Sequence, residues 1–423
     1  MKKPSRPLAA CAAAAAIAST TAHLGADIRT AAEAINSFGL DLHQRLAETE
    51  GNLVTSPWSI QSALAMTFAG AEGETLAQMA ATLHFPADED ALHAGLAALT
   101  ADLATQAEQS RLEIDNPDRQ GGPNTPLEIL AANRLFGQEG YPFLDSFLDL
   151  TRNVYGAPLQ QMDFESAPEP SRQTINAWVA ENTRDRIEDL IPAGVIDEET
   201  RLVLANAVYL MAPWAEEFKL HEDFSFFLPS GSEIQTTALH REGTFGVADI
   251  PGGTLVSIPY HGGGLQFLLI IPETRDGLAA LERSLTPDTL AAAAAAPPTQ
   301  VDLLFPKFRI EPPSVTLADH LIEMGMPAAF DKPEGSADFS RMAPRTPNEY
   351  LYIGEVVHRA FLAVDQYGTE AAAATAVVMM RATSAIIEPE PAREIHVDRP
   401  FAFAIQHTAS GACLFLGRVS NPD

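Results

Sequence analysis

The sequence predicts an α+β fold, and three stretches predict it. From about Thr30 to Ala47 the apolar residues Ile35, Phe38, Leu42 and Leu46 recur at helical spacing. From Thr200 to Tyr209 the chain is continuous, apolar and rich in β-branched residues, as a strand buried on both faces should be. Leu255 to Tyr260 and Leu265 to Ile271 read as a hairpin about His261-Gly262-Gly263-Gly264. Those glycines lack the strand-to-helix setting and spacing of a phosphate loop, so they read as a turn.

Composition narrows the partners. Of 423 residues, 27 are Lys or Arg and 56 are Asp or Glu, a formal charge of −29. Phosphate backbones need a basic surface, so neither nucleic acid nor a heparin-like polyanion is an expected partner. A mean hydropathy of −0.01, with no apolar run of spanning length, predicts a soluble chain with no membrane partner. The two cysteines, Cys11 and Cys413, form neither a CxxC pair nor a zinc-type spacing. Cys413 begins the apolar run Cys413-Leu414-Phe415-Leu416 and reads as buried and inert.

At the N-terminus, Lys2, Lys3 and Arg6 precede an Ala-rich apolar stretch to Ala18 and the small residues Ser19-Thr20-Thr21-Ala22. This order reads as a signal peptide over residues 1–22 and predicts a secreted protein, extracellular or periplasmic. Leu8-Ala9-Ala10-Cys11 looks like a lipoprotein signal, but the apolar run follows the Cys, so no lipid anchor at Cys11 is expected. A mature chain without the leader carries one thiol and no internal disulfide.

Ser56 before Pro57 is a helix start, a side-chain cap followed by Pro at the first helical position, and the helix continues to Gly70. Asp88 to Thr105 reads as another helix. The polar, Gly/Pro-rich Gln109 to Thr125 reads as a loop. Leu127 to Phe136 reads as a buried strand, and Tyr141 to Tyr155 as a helix. Leu278 to Leu285 and Pro287 to Ala296 read as helices, and Leu351 to Asp365 as a strand.

The stretch Gly368 to Ser384 reads two ways. Its alanines favour a helix. At a period of two, however, Thr369, Ala371, Ala373, Thr375, Val377 and Met379 share a face that is small and then modestly apolar. Glu370 and Arg381 fall on the other parity, so such a strand could enter a sheet interior with no charge on that face. Pro389 and Pro391 forbid a helix or central strand beyond it.

The run Gly368-Thr369-Glu370-Ala371-Ala372-Ala373-Ala374-Thr375-Ala376-Val377 resembles the hinge of inhibitory serpins. Further stretches resemble that family in the right order, over about residues 30 to 423. They include Asn52-Leu53-Val54-Thr55-Ser56-Pro57-Trp58-Ser59-Ile60, Ala132-Asn133-Arg134-Leu135-Phe136, Ile175-Asn176-Ala177-Trp178-Val179 and Phe305-Pro306-Lys307-Phe308. Arg399-Pro400-Phe401 and Leu414-Phe415-Leu416-Gly417-Arg418-Val419-Ser420-Asn421-Pro422 complete the series.

The resemblance implies a single domain over residues 23–423. Its fold would have three β-sheets, about eight or nine helices and an exposed reactive-centre loop at about 366–394. It implies a serine protease inhibitor that acts as a suicide substrate: the protease cuts the loop, forms an acyl-enzyme, and is trapped when the cut loop inserts into the main sheet. The hinge would be Gly368, Thr369, Glu370, Ala371, Ala372, Ala373, Ala374 and Thr375. Ser56, Ser59, Asn206 and His358 match the shutter, where the main sheet parts, and Trp214 matches the breach, where the loop first goes in.

The resemblance implies, by the family's spacing from Gly368, a cut bond at Ala382–Thr383, which suits an elastase- or subtilisin-like protease. Arg381–Ala382 is the alternative and suits a trypsin-like one. The expected partner is that protease in covalent complex with a monomer, with no cofactor and no metal. The acidic surface reads as a solubility device, and steering of a basic protease is the other reading. Two departures stand out: Met211-Ala212-Pro213 where the family usually has Lys, Gly and Lys, and Gln366-Tyr367 in place of an acidic pair.

Two other functions remain open. A non-inhibitory serpin serving as carrier, chaperone or storage protein predicts bulky or charged hinge residues, and this hinge has small ones. An unrelated α+β enzyme finds little support, since neither a Gly-x-Ser-x-Gly elbow nor HExxH is present. The eleven histidines show no tight metal-ligand spacing, and His358 reads as a core histidine beside Asn206 and a serine, so no catalytic residue is expected.

Overall fold

A computed structural model of the chain describes residues 8–119, 121–347, 349–370 and 392–423, with side chains from residue 27 onward. The first half carries helices α1 (Leu8–Leu46), α2 (Pro57–Phe68), α3 (Gly73–Thr82), α4 (Glu89–Ile114), α5 (Asp145–Asn153) and α6 (Pro168–Asn182). Between and after them run strands β1 (Leu53–Thr55), β2 (Glu128–Gln138), β3 (Gln160–Met162), β4 (Leu202–Pro213), β5 (Lys219–Phe227) and β6 (Glu233–Ile250). Then come β7 (Gly253–Pro259), β8 (Leu265–Pro272), α7 (Leu278–Ser284), α8 (Pro287–Ala292), β9 (Pro298–Pro306), β10 (Phe308–Ile310), β11 (Val315–Thr316) and α9 (Ala318–Met324). The chain closes with β12 (Val356–Val364), β13 (Gly368–Thr369), β14 (Arg393–His396), β15 (Phe401–His407) and β16 (Cys413–Val419).

The α+β class holds. The described strands form two hydrogen-bonded sheets, however, where three are implied by the resemblance. The eighteen-residue β6 is the reason. One of its sides pairs with β5 over Glu233–His240 and with β7 over Gly246–Ile250, and the other side pairs with β9. A strand long enough to serve two neighbours in series fuses their ladders into one nine-stranded sheet. The second sheet has seven strands and holds the site.

Several boundaries shift for physical reasons. Helix α4 starts at Asp88, whose side chain accepts from the Ala91 amide, and buries Leu92, Leu96, Leu99 and Leu103 along one face. It continues to Ile114 through what reads as loop, and Arg111 there pairs with Glu108 and Asp115 one turn away on either side. The helix expected from Tyr141 begins only at Asp145. The strand expected over 351–365 is regular only from Val356, where β4 becomes its partner. Helix α1 runs back without a break to Leu8, so residues 8–22 of the expected leader are helical. Among the described residues no helix is long and apolar enough to cross a membrane. Cys413 is buried in β16, and burial pushes its thiol well above the usual range.

Helix α2 is buried along its whole length. It lies under the seven-stranded sheet, and the Ser56 cap brings its first turn against β4 and β12. A smaller apolar cluster covers the opposite face, where Ile175 and Val179 of α6 pack on Phe136, Val203, Ala205 and Val357. Strand β4 is thus dry on both sides, which is why it reads as an unbroken apolar run.

Candidate functional site

Strands β4 and β12 run parallel and side by side from Leu204–Val356 to Tyr209–Phe361. Beyond that point they separate by one strand's width, and β13 fills the gap. Thr369 pairs with Val364 of β12 and Ala212 of β4, antiparallel to both. The chain reverses at Asp365, whose carboxylate accepts the amides of Tyr367 at 2.8 Å and Gly368 at 3.2 Å. At Gly368 a Cβ would meet the Ala212 carbonyl at 2.2 Å, so only glycine fits between the flanking strands.

Thr369 is wholly buried, and its hydroxyl shares a hydrogen bond with the Tyr260 hydroxyl. Tyr260 stacks on Trp214 with ring centroids 4.6 Å apart and planes 6° from parallel. Trp214 in turn donates its indole N–H to the Asp365 carbonyl at 2.8 Å. Glu370 turns to the other face of the sheet, toward Arg186, whose Nε lies 2.7 Å from its carboxylate. Burial raises the Glu370 pKa, and the cations Arg186 and Arg309 oppose that rise. Its φ of 46° is left-handed, a conformation that side-chain-bearing residues adopt only under constraint.

At the two expected hinge positions that are described, the side chains fall on opposite faces, although Glu370 lies beyond β13 and is left-handed. Thr369 faces the core and Glu370 faces away. The loop expected to be exposed from residue 366 instead has its first residues in the sheet, with Gly368 and Thr369 buried. At its other end Arg393 and Glu394 already belong to β14. Ala371, Ala372, Ala373, Ala374, Thr375, Arg381, Ala382 and Thr383 lie outside the described residues.

Below the hinge, the closed part of the β4–β12 seam is pinned by a buried polar cluster. His358 and Asn206 are register partners across the seam, both wholly buried. The Ser56 backbone N–H donates to His358 Nε2 at 3.1 Å. An amide can only donate, so Nε2 is the acceptor and the proton sits on Nδ1, which donates to the Asn206 carbonyl oxygen. The Asn206 amide donates to the Ser59 carbonyl at 2.8 Å and to Asn133 Oδ1 at 2.6 Å. The Ser59 hydroxyl donates to the same Asn133 oxygen at 3.0 Å. Ser56 Oγ caps α2 and donates to the Leu414 carbonyl at 2.6 Å. Burial lowers the His358 pKa to about 3, so this histidine is neutral near pH 7.

The structure therefore brings Ser56, Ser59, Asn206 and His358 together and sets Trp214 beside the hinge. Sequence reasoning missed Asn133, Tyr260 and Arg186. Asn133 had a signal, a lone amide in the apolar run Ala131-Ala132-Asn133, as Asn206 is in its own. Tyr260 and Arg186 had none, since each meets the hinge from a distant part of the chain. The site holds no nucleophile–base pair among its described residues. Folding does correct one reading: His240, Glu242 and Asp302 converge on the other sheet, although no spacing along the chain joins them.

These features define a class: an α+β fold whose seven-stranded sheet holds a two-residue strand, β13, between β12 and β4. Comparison with known proteins identifies the family. The serpin model, described as serine protease inhibitor, matches residues 33–422. The leukocyte elastase inhibitor of Bos taurus is 36% identical over 401 residues, covering 91% of this chain and 97% of its own length. An uncharacterized serpin-like protein of Thermococcus kodakarensis is 34% identical over 392 residues, covering 92% and 85%. The structure of uncleaved ovalbumin shares the fold at a TM-score of 0.75 with 23% identity, covering 92% of this chain and 99% of its own. The chain belongs to the serpin family.

Proposed function

We propose that this serpin inhibits a serine protease as a suicide substrate. The protease attacks a bond in the loop, forms an acyl-enzyme, and is carried off as the loop inserts between β4 and β12. The observation that carries the reading is Thr369, already buried as a strand between these two. Insertion then needs only continuation of a pairing that has begun. Each further residue adds ladder hydrogen bonds, and full burial of Val377 or Met379 contributes about 1.5–3 kcal/mol. Displacing the catalytic groups of the captured protease by about 1 Å slows deacylation on the order of a hundredfold.

The preferred bond is Ala382–Thr383, with Arg381–Ala382 as the alternative. The names of the relatives support an elastase-like target, and a small residue before the bond suits an elastase- or subtilisin-like pocket. The inhibitor acts as a monomer, without cofactor or catalysis of its own. Residues 1–22 serve as a signal peptide and direct secretion. Small hinge residues disfavour the carrier or storage role.

Thermal melting of the cut chain tests insertion. Protein nicked within residues 371–391 should melt well above the intact protein, because the inserted strand adds a full ladder to the sheet. Equal melting of nicked and intact protein would overturn the reading. Mass spectrometry of the released C-terminal peptide identifies the bond, with Thr383 as its expected first residue.

A further inference from the structure

A cluster of histidines and carboxylates lies on the outer face of the nine-stranded sheet, and the inhibitory reading makes no use of it. On β6, His240 and Glu242 are two residues apart and share a face. Glu242 is the register partner of Asp302 on β9. One ligand atom from each of His240, Glu242 and Asp302 lies within 4.8 Å of the other two. His240 Nε2 is 2.7 Å from Asp302 Oδ1. From the opposite side, His396 Nε2 of β14 is 4.0 Å from Asp302 Oδ2. Two imidazoles thus aim at one carboxylate from two different strands, with a second carboxylate beside it.

We propose that His240, Glu242 and Asp302, joined by His396, form a binding site for one divalent transition-metal ion of the Zn²⁺ class. The donor set decides the class. Imidazole nitrogens with carboxylate oxygens suit zinc and its neighbours, whereas calcium takes six or more oxygens and magnesium keeps its waters in an octahedron. Zn–N and Zn–O bonds of about 2.0–2.2 Å place tetrahedral ligand atoms roughly 3.3–3.6 Å apart. Side-chain rotation closes the difference from the present spacing, because the ladders fix the strands that carry the ligands. His240 and Asp302 are each about three-tenths exposed, so an ion reaches them from solvent. Lys219 of β5 is the register partner of His240, and its flexible stem lets the ammonium swing clear of a bound cation.

The ion would tie three strands together. Among the described strands β14 pairs only with β9, over four register pairs, and it is the first described strand after the loop. A ligand from β14 makes the metal a clamp on the C-terminal anchor of that loop.

Titration calorimetry of the full chain, free of any histidine tag, tests the site with ZnCl₂ and with MgCl₂. One zinc per chain and no magnesium binding are expected. His240→Ala and His396→Ala should each weaken zinc binding roughly tenfold or more. Bound zinc should slow amide exchange over residues 393–396 in the parent chain and leave it unchanged in His396→Ala. Circular dichroism confirms the fold of each variant, and Glu242→Gln replaces any that fails to fold. Absence of zinc binding by the parent chain at millimolar metal, or undiminished affinity in folded His240→Ala, overturns the site. Exchange unaffected by bound zinc overturns the clamp.

Discussion

At the β4–β12 seam, the Ser56 amide leaves His358 no choice of tautomer, and the tautomer in turn fixes Asn206. Protonating this histidine would put two donors face to face at Ser56 and place a charge in a dry core. Its pKa is lowered from 6.5 to about 3, so the unfolded chain takes up a proton that the folded chain refuses. The stability it contributes is complete above about pH 6.5 and is lost as the pH falls toward 3. Urea unfolding between those limits should show this decline, and His358→Gln should flatten that part of the profile. A parallel decline in the variant would assign the acid response to other groups. The same substitution should cost about 1–3 kcal/mol at neutral pH, the usual penalty for a buried partner left unpaired.

Strand β13 is where sequence and packing meet. Thr369 is wholly buried against the Tyr260 hydroxyl, between Val364 of β12 and Ala212 of β4, so a longer cationic side chain there would carry its charge into the core. Thr369→Arg should therefore turn the inhibitor into a substrate, cut by the protease without stable complex, because a buried unpaired charge blocks insertion. Inhibition that survives this change, measured as residual protease activity after mixing, would contradict entry of the loop at Thr369.

Element by element, legibility tracked burial. Strand β4 was plain because both of its faces are dry, and α2 because Ser56 and Pro57 mark its start. Strand β6 left no clear trace: only Ala238, Leu239, Phe245 and Val247 of its eighteen residues are buried, and Gly243 and Gly246 interrupt it. The polar last turns of α4 carried no apolar stripe to follow beyond Leu103. Of the site, residues lying in recognisable motifs were readable. Tyr260, Arg186 and the pair His240–Asp302 were not, because tertiary contact alone unites them.

For the whole molecule, the seven-stranded sheet is held along one seam in two unlike ways. A polar cluster closes its middle and a two-residue wedge occupies its upper end. On the proposed mechanism, cutting the loop lets it extend this wedge, so the intact fold would be a trapped state whose release does work on a bound protease. The most direct test of that account mixes purified protein with elastase and resolves the products on a denaturing gel. The account predicts a band near the summed mass of the two proteins that survives denaturation, with loss of protease activity. Complete cleavage of the loop by elastase, subtilisin and trypsin, with no such band and full protease activity, would contradict it.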